Sequence, residues 1–278
     1  MQYKPYLSIV DAKSILGRGA YTMHNVLRVR TVEIGVNQPK IIVPIVKQKY
    51  EDILEQAEIL RNMQIDLVEW RADFYEEIFN LERTLNLLSE LRIVLLHIPL
   101  LFTFRTRKEG GEKEISMEAY TKLNITAAQS GKVDLVDVEM LSSDDIAIKI
   151  IEEIHKTKVF VVGSYHDFHA TPQKDVLVGC FRKMQDMGAD ILKIAVMPHT
   201  MIDVLNLFAA ANEMYELYAD RPIVAISMSA KGLISRIAGE AFGSAMTFGA
   251  VGQTSAPGQI QVKDLAKILD ILHELLTT

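Results

Sequence analysis

One cysteine, Cys180, stands in a chain of 278 residues, which excludes an internal disulfide and a cysteine-built metal cluster and fits a reducing cytoplasm. Basic residues form no block: 30 Lys and Arg against 36 Asp and Glu leave a net charge of −6, scattered along the chain, so the footprint of a nucleic-acid binder is missing. No apolar run reaches the roughly 18 residues of a membrane span. The N-terminal MQYKPYLSIVDAKSILGRG lacks an unbroken apolar segment with a small-residue cleavage site, so neither export nor membrane insertion is expected. Low-complexity tracts and a Pro/Gly linker within residues 40–276 are absent. So are a Walker A sequence and a Rossmann G-x-G-x-x-G after the first strand.

What is present is a composition of 49% hydrophobic and 24% charged residues, that of a folded domain with a large core. From Lys40 onward, short Ile- and Val-rich runs alternate with segments of helical period, the rhythm of βαβ units and a parallel sheet. Candidate strands are Ile41–Val46, Leu67–Trp70, Leu100–Phe104, Leu135–Glu139, Val159–Gly163, Ile191–Ala195, Ile223–Ser227 and Ala245–Phe248. Helical stretches between and after them include 50–63, 116–130, 142–155, 173–187, 201–218 and 261–276. Eight βα units of about 30 residues occupy roughly 240, the size of an α/β (β/α)8 TIM barrel. The alternating stretch Val26–Val36 reads as an N-terminal β-hairpin closing the barrel floor. Residues 1–22 lack periodicity and are expected to be a poorly ordered extension, with 23–278 a single barrel domain that includes the hairpin.

A barrel builds its site from the C-terminal ends of its strands and the loops that follow, so polar residues there carry a different meaning from those on helices. Glu69 and Arg71 flank the end of the second strand, Arg105 ends the third with Glu109 after it, and Asp137 and Glu139 lie in the fourth. His166–His169 follow the fifth strand, Lys193 lies within the sixth, and Arg236 comes from the loop or short helix after the seventh. Ser255 and Gln259 belong to a small-residue loop, 249–259, suited to a lid or to a plain connector. Lys193 interrupts DILKIAVM, a run fit for a strand buried on both faces, where an ammonium is costly to desolvate. Either it pairs with an interior carboxylate such as Glu69 or Asp137, or burial and nearby arginines leave a neutral amine able to form a Schiff base with a ketone. His166 is a proton-transfer group or a loop cap. The His166-x-x-His169 spacing lacks a third ligand and is a weak metal signal, so no metal is expected. Arg236, among Gly232, Gly239 and Gly243, offers a planar fork to a carboxylate or is an ordinary helix arginine.

Taken in order, PKIIVPIV, LVEWRADF, PLLFTFRTRKEGGE, LVDVEM, YHDFHATP, ADILKIAVMP, YADRPIVAISM, LISRIAGEAFGSAMTFG and SAPGQI resemble the type I 3-dehydroquinate dehydratases of the shikimate pathway, from Pro39 to His273. The resemblance implies a cofactor-free TIM barrel, usually a homodimer, that converts 3-dehydroquinate to 3-dehydroshikimate and water through an imine. It makes Lys193 the imine-forming lysine, His166 the proton-transfer histidine and Glu109 the carboxylate that orients it. Glu69, Arg71 and Arg105 resemble the set around the ring hydroxyls, Arg236 the partner of the substrate carboxylate, and Ser255 and Gln259 the closing-loop contacts. Asp137 and Glu139 match an acidic pair to which no role is assigned. Leu192, Tyr165 and His199 depart from the family's usual Pro, Asn and Gln and remove no reacting group.

Two other functions fit parts of the pattern. A class I aldolase also places a lysine on the sixth barrel strand, and the ketone that traps on Lys193 discriminates it. A non-catalytic ligand-binding barrel would leave Lys193 merely ion-paired and show no turnover.

Overall fold

The computed structural model describes residues 26–140, 143–252 and 256–278. The first described element is an antiparallel hairpin, β1 (Leu27–Val29) and β2 (Val32–Ile34), whose turn places Arg30 in the left-handed region at φ 54°. The barrel follows as β3 (Lys40–Ile45), α1 (Tyr50–Arg61), β4 (Leu67–Arg71), α2 (Leu81–Leu95), β5 (Leu100–Thr103), α3 (Met117–Gln129), β6 (Leu135–Glu139) and α4 (Asp144–His155). It continues with β7 (Phe160–Asp167), α5 (Lys174–Asp186), β8 (Ile191–Val196), α6 (Met201–Leu217), β9 (Ile223–Ser227), the short α7 (Ile234–Ile237) and β10 (Met246–Ala250). The last elements are β11 (Ile260–Gln261) and α8 (Val262–Thr277).

Strands β10, β3, β4, β5, β6, β7, β8 and β9 pair in that order, each parallel to the next. The sheet closes where Ile223 bridges Ser244: the Ala245 N–H donates to Ile223 O at 2.8 Å, and the Ala225 N–H donates to Ser244 Oγ at 3.0 Å. The result is the (β/α)8 TIM barrel expected from the pattern. Its strands are apolar on both faces because one face lines the interior and the other lies under helices. The lower interior is filled by residues such as Ile42, Leu67, Leu101, Leu135, Val162 and Ile191, and Val29 and Ile34 of the hairpin join that cluster from below. Arg30 and Arg92 both pair with Asp134, which also accepts the Leu100 N–H at 2.8 Å, so charge ties the hairpin to the barrel floor.

One boundary moves in a way that matters for the site. The sequence places His166 after a strand ending at Gly163, whereas β7 runs to Asp167 and carries His166 within it. The extension is held by continued pairing with β8, with His166 opposite Ala195 and Asp167 opposite Val196. Asp167 then turns the chain, Oδ1 accepting the N–H groups of His169 and Ala170 at 2.8 and 2.9 Å. Among the described residues, no helix is long and apolar enough to cross a membrane.

Candidate active site

Alternation along each strand puts every second side chain into the barrel, and above the apolar floor those positions turn polar. Glu69 and Arg71 come from β4, Thr103 from β5, Asp137 and Glu139 from β6, Ser164 and His166 from β7, and Lys193 from β8; all of these but His166 are buried, and it is largely so. Buried charge at this density requires pairing. Arg105, just past β5, is its hub: Nη2 donates to Asp137 Oδ1 at 2.8 Å, and Nη1 donates to Ser164 Oγ at 2.9 Å and to Glu139 Oε1 at 3.1 Å. Burial alone would make that guanidinium easier to deprotonate, but Asp137, Glu139 and Glu109 outweigh it and hold the proton more firmly than usual. Arg71 makes a two-pronged contact with Asp73, both bonds 2.8 Å.

Lys193 is 5% exposed. Its Nζ lies 3.5 Å from Asp137 Oδ2, 3.9 Å from Glu69 Oε1 and 4.5 Å from the centre of the Phe248 ring. The interior pairing expected of a structural lysine is therefore present, at distances longer than a good charged hydrogen bond. Burial drags the amine below its ordinary range, Asp137 and Glu69 resist, and Arg105 and Arg71 add to the fall.

Glu109 ends a single 3-10 turn, Arg107–Glu109, and the two glycines after it explain how the chain turns back there. Gly110 has φ +83°, and a Cβ on Gly111 would lie 1.9 Å from Arg105 O, so neither position accepts a side chain without movement. Glu109 Oε2 accepts the backbone N–H of His166 and is hydrogen-bonded to its ring Nδ1, both at 3.0 Å. Burial lowers the His166 pKa well below the usual imidazole range, assisted by Arg105, Lys193 and Arg71. Burial raises Glu109 to about 8; Arg105 opposes the rise, and Glu139 and Asp137 reinforce it.

Arg236, on α7, is 1% exposed and donates to Phe248 O at 3.5 Å and Pro257 O at 3.1 Å, while Nε has no hydrogen-bond partner. Among the described residues no carboxylate pairs with it, and burial lowers its pKa to about 10. The adjoining loop is anchored by the Ser229 N–H to Pro257 O at 3.2 Å, and Gly258, φ +79°, passes so close to Ser229 that a Cβ would lie 2.4 Å from its carbonyl oxygen. Ser255 lies outside the described residues. The other eight residues to which the resemblance gives a role, namely Glu69, Arg71, Arg105, Glu109, His166, Lys193, Arg236 and Gln259, line one pocket at the C-terminal mouth of the barrel.

A family model described as Type I 3-dehydroquinase matches residues 41–276. The chain belongs to the type I 3-dehydroquinase family. A 3-dehydroquinate dehydratase of Clostridioides difficile (strain 630) is 47% identical over 252 residues, covering 91% of this chain and 99% of that protein. One from Listeria welshimeri is 48% identical over 250 residues, covering 90% and 99%. A crystal structure of the type I enzyme from Clostridium difficile, with covalently modified comenic acid, superposes with a TM-score of 0.89 at 47% identity over 91% of this chain and all 100% of that one. The Geobacillus kaustophilus HTA426 enzyme gives 0.87 at 37% identity over 90% and 97%.

The pocket of this type I 3-dehydroquinase also contains residues that sequence reading misses. Phe248 faces Lys193, and Phe168 and Met228 complete the wall. Ser164 does not line the pocket but supports it, donating to Asp137 Oδ1 at 2.6 Å and accepting from Arg105. Its signal was its spacing, two residues before His166 on one strand and so on the same face. Phe248 carries no such signal, because an aromatic ring in a barrel strand looks the same in sequence whether it packs the core or a lysine.

Proposed function

We propose that the chain removes water from 3-dehydroquinate to give 3-dehydroshikimate, through a Schiff base on Lys193, as the third step of the shikimate pathway in aromatic amino-acid biosynthesis. The observation that carries this reading is the Lys193 amine, buried and made less basic by burial, in one pocket with a neutral histidine and a buried arginine. Lys193 Nζ attacks the ring ketone, and the oxygen leaves as water. The resulting iminium draws electrons from the adjacent methylene, which makes its proton acidic. His166 takes that proton and returns one to the β-hydroxyl as it departs, so a single group serves both half-reactions. Water then hydrolyses the product iminium and frees Lys193.

Glu109 orients His166. Arg236 meets the substrate carboxylate, supported by its burial without a carboxylate partner among the described residues. Glu69, Arg71 and Arg105 surround the ring hydroxyls, and Ser255 and Gln259 close over the substrate. None of these roles calls for a metal or an organic cofactor. We place the enzyme in the cytoplasm as a homodimer; the exposed apolar residues Ile202 and Leu205 on α6 agree with a covered face.

Borohydride added with 3-dehydroquinate tests the reading, since it reduces an imine to a stable amine. Mass mapping is expected to place the adduct on Lys193. Turnover of 3-dehydroquinate with no adduct, or an adduct on Lys231, would refute it.

A further inference from the structure

Asp137 is fully buried, and its two oxygens differ. Oδ1 accepts from Arg105 Nη2 at 2.8 Å and from Ser164 Oγ at 2.6 Å. Oδ2 is buried with no hydrogen-bond donor, and the Lys193 ammonium lies 3.5 Å from it. A buried carboxylate oxygen without a donor is costly unless something completes it in another state of the site.

We propose that Asp137 is the positioning residue that holds the charged nitrogen of Lys193, its Oδ2 accepting the N–H of the iminium while Arg105 and Ser164 clamp Oδ1. The inference rests on the Schiff-base reading of Lys193. A protonated lysine and a ketone give an iminium and one water with no net gain or loss of protons, so one positive charge remains on the nitrogen across the step. A fixed carboxylate is suited to such a site because it need not reorganise as the carbon–nitrogen bond forms. Glu69 shares the approach from β4, but at 3.9 Å its Oε1 already accepts the Thr103 hydroxyl at 2.9 Å. The remaining charged groups facing Lys193 are Arg71 and Arg105, which repel it, and His166, which is held neutral. Of these two acids, then, Asp137 is the nearer to Lys193 and the one with a buried oxygen that lacks a donor.

The test uses Asp137→Asn and, because loss of a buried anion beside Arg105 can prevent folding, Ser164→Ala, which leaves every charge in place. Each is saturated with 3-dehydroquinate across a pH series and reduced with borohydride, and the Lys193 adduct is quantified beside kcat. Asp137→Asn is expected to lower the adduct yield at least roughly tenfold and to move the alkaline limb of kcat toward acid by about 1 to 3 pH units, the effect of removing one opposite charge at this range. Ser164→Ala is expected to shift both readouts in the same direction by less. Wild-type yield and an unmoved alkaline limb in either folded variant would overturn the assignment. Failure of wild-type enzyme to trap substrate on Lys193 would instead refute the Schiff-base reading beneath it.

Discussion

Glu109 and His166 are joined twice through one atom: Oε2 accepts the backbone N–H of His166 and meets its ring Nδ1, each at 3.0 Å. When the ring proton sits on Nδ1 facing this oxygen, the lone pair is left on Nε2. Two bonds from one residue to one oxygen also fix the ring relative to its own strand. The low basicity of the buried imidazole then supplies a neutral base at ordinary pH.

That arrangement separates orientation from proton transfer. His166→Ala is expected to retain imine formation on Lys193 and to lose kcat by at least about 10²-fold, the scale of general acid–base catalysis. Glu109→Gln keeps an amide oxygen beside Nδ1 and loses only a carboxyl that already holds its proton below about pH 8, so kcat falls by less than in His166→Ala and KM holds. Steady-state kinetics with borohydride trapping of each variant check both; near-normal kcat in His166→Ala would hand the role of base to another group.

The same pair gives stability a pH signature. Glu109 titrates at about 8 in the folded chain against an ordinary 4.5, so the native state holds the extra proton between those values and stability falls as pH rises through that window. His166 acts oppositely: its folded value lies below the ordinary 6.5, the unfolded chain takes the proton first, and stability rises with pH up to 6.5. Above that point only Glu109 of the two contributes. Melting temperature is therefore expected to drop between about pH 7 and 8.5, and less so in Glu109→Gln. The difference between the two proteins removes other groups, such as His155, that titrate nearby. Parallel curves would place the Glu109 proton elsewhere.

Residues whose signal is a violated expectation are legible in the sequence. Lys193 stands out because a strand buried on both faces has no ordinary use for an ammonium, and Glu69, Asp137 and Arg105 stand out on the same ground. The barrel is legible because βα alternation is a repeating, local signal. Two kinds of feature are not. Strand ends depend on pairing with a neighbour, which is why β7 runs on to Asp167 and absorbs His166. Partnerships across the barrel depend on shear, so the sequence shows that Asp137 and Arg105 are both interior without showing that Arg105 joins Asp137, Glu139 and Ser164 at once.

Arg236 offers the sharpest test of recognition. Its guanidinium is buried, and among the described residues its Nε has no hydrogen-bond partner and its other nitrogens donate to main-chain carbonyls. Arg236→Lys preserves charge and discards the planar fork, and substrate binding is expected to weaken by roughly 1.5 to 3 kcal/mol. Substrate or product should accordingly raise the melting temperature of wild-type protein more than that of the variant at equal concentration. An unchanged KM would mean that the substrate carboxylate is bound elsewhere.

The hairpin supports the floor without reaching the chemistry. Ile34 is fully buried against the lowest interior layer, whose members include Ile42, Leu67 and Leu135, while Lys193 and His166 occupy the opposite end of the barrel's interior. Ile34→Ala removes atoms from a close-packed site that can collapse little, because it is walled by strands, and is expected to cost about 2 to 5 kcal/mol. Arg30→Ala breaks the ion pair with Asp134, whose second partner Arg92 remains at 2.9 Å, so its cost should be smaller. Urea unfolding ranks the two, and kcat and KM measured well below the midpoint are expected to stay at wild-type values in both. A fall in kcat for Ile34→Ala without loss of stability would show that floor packing sets the position of Lys193 above it.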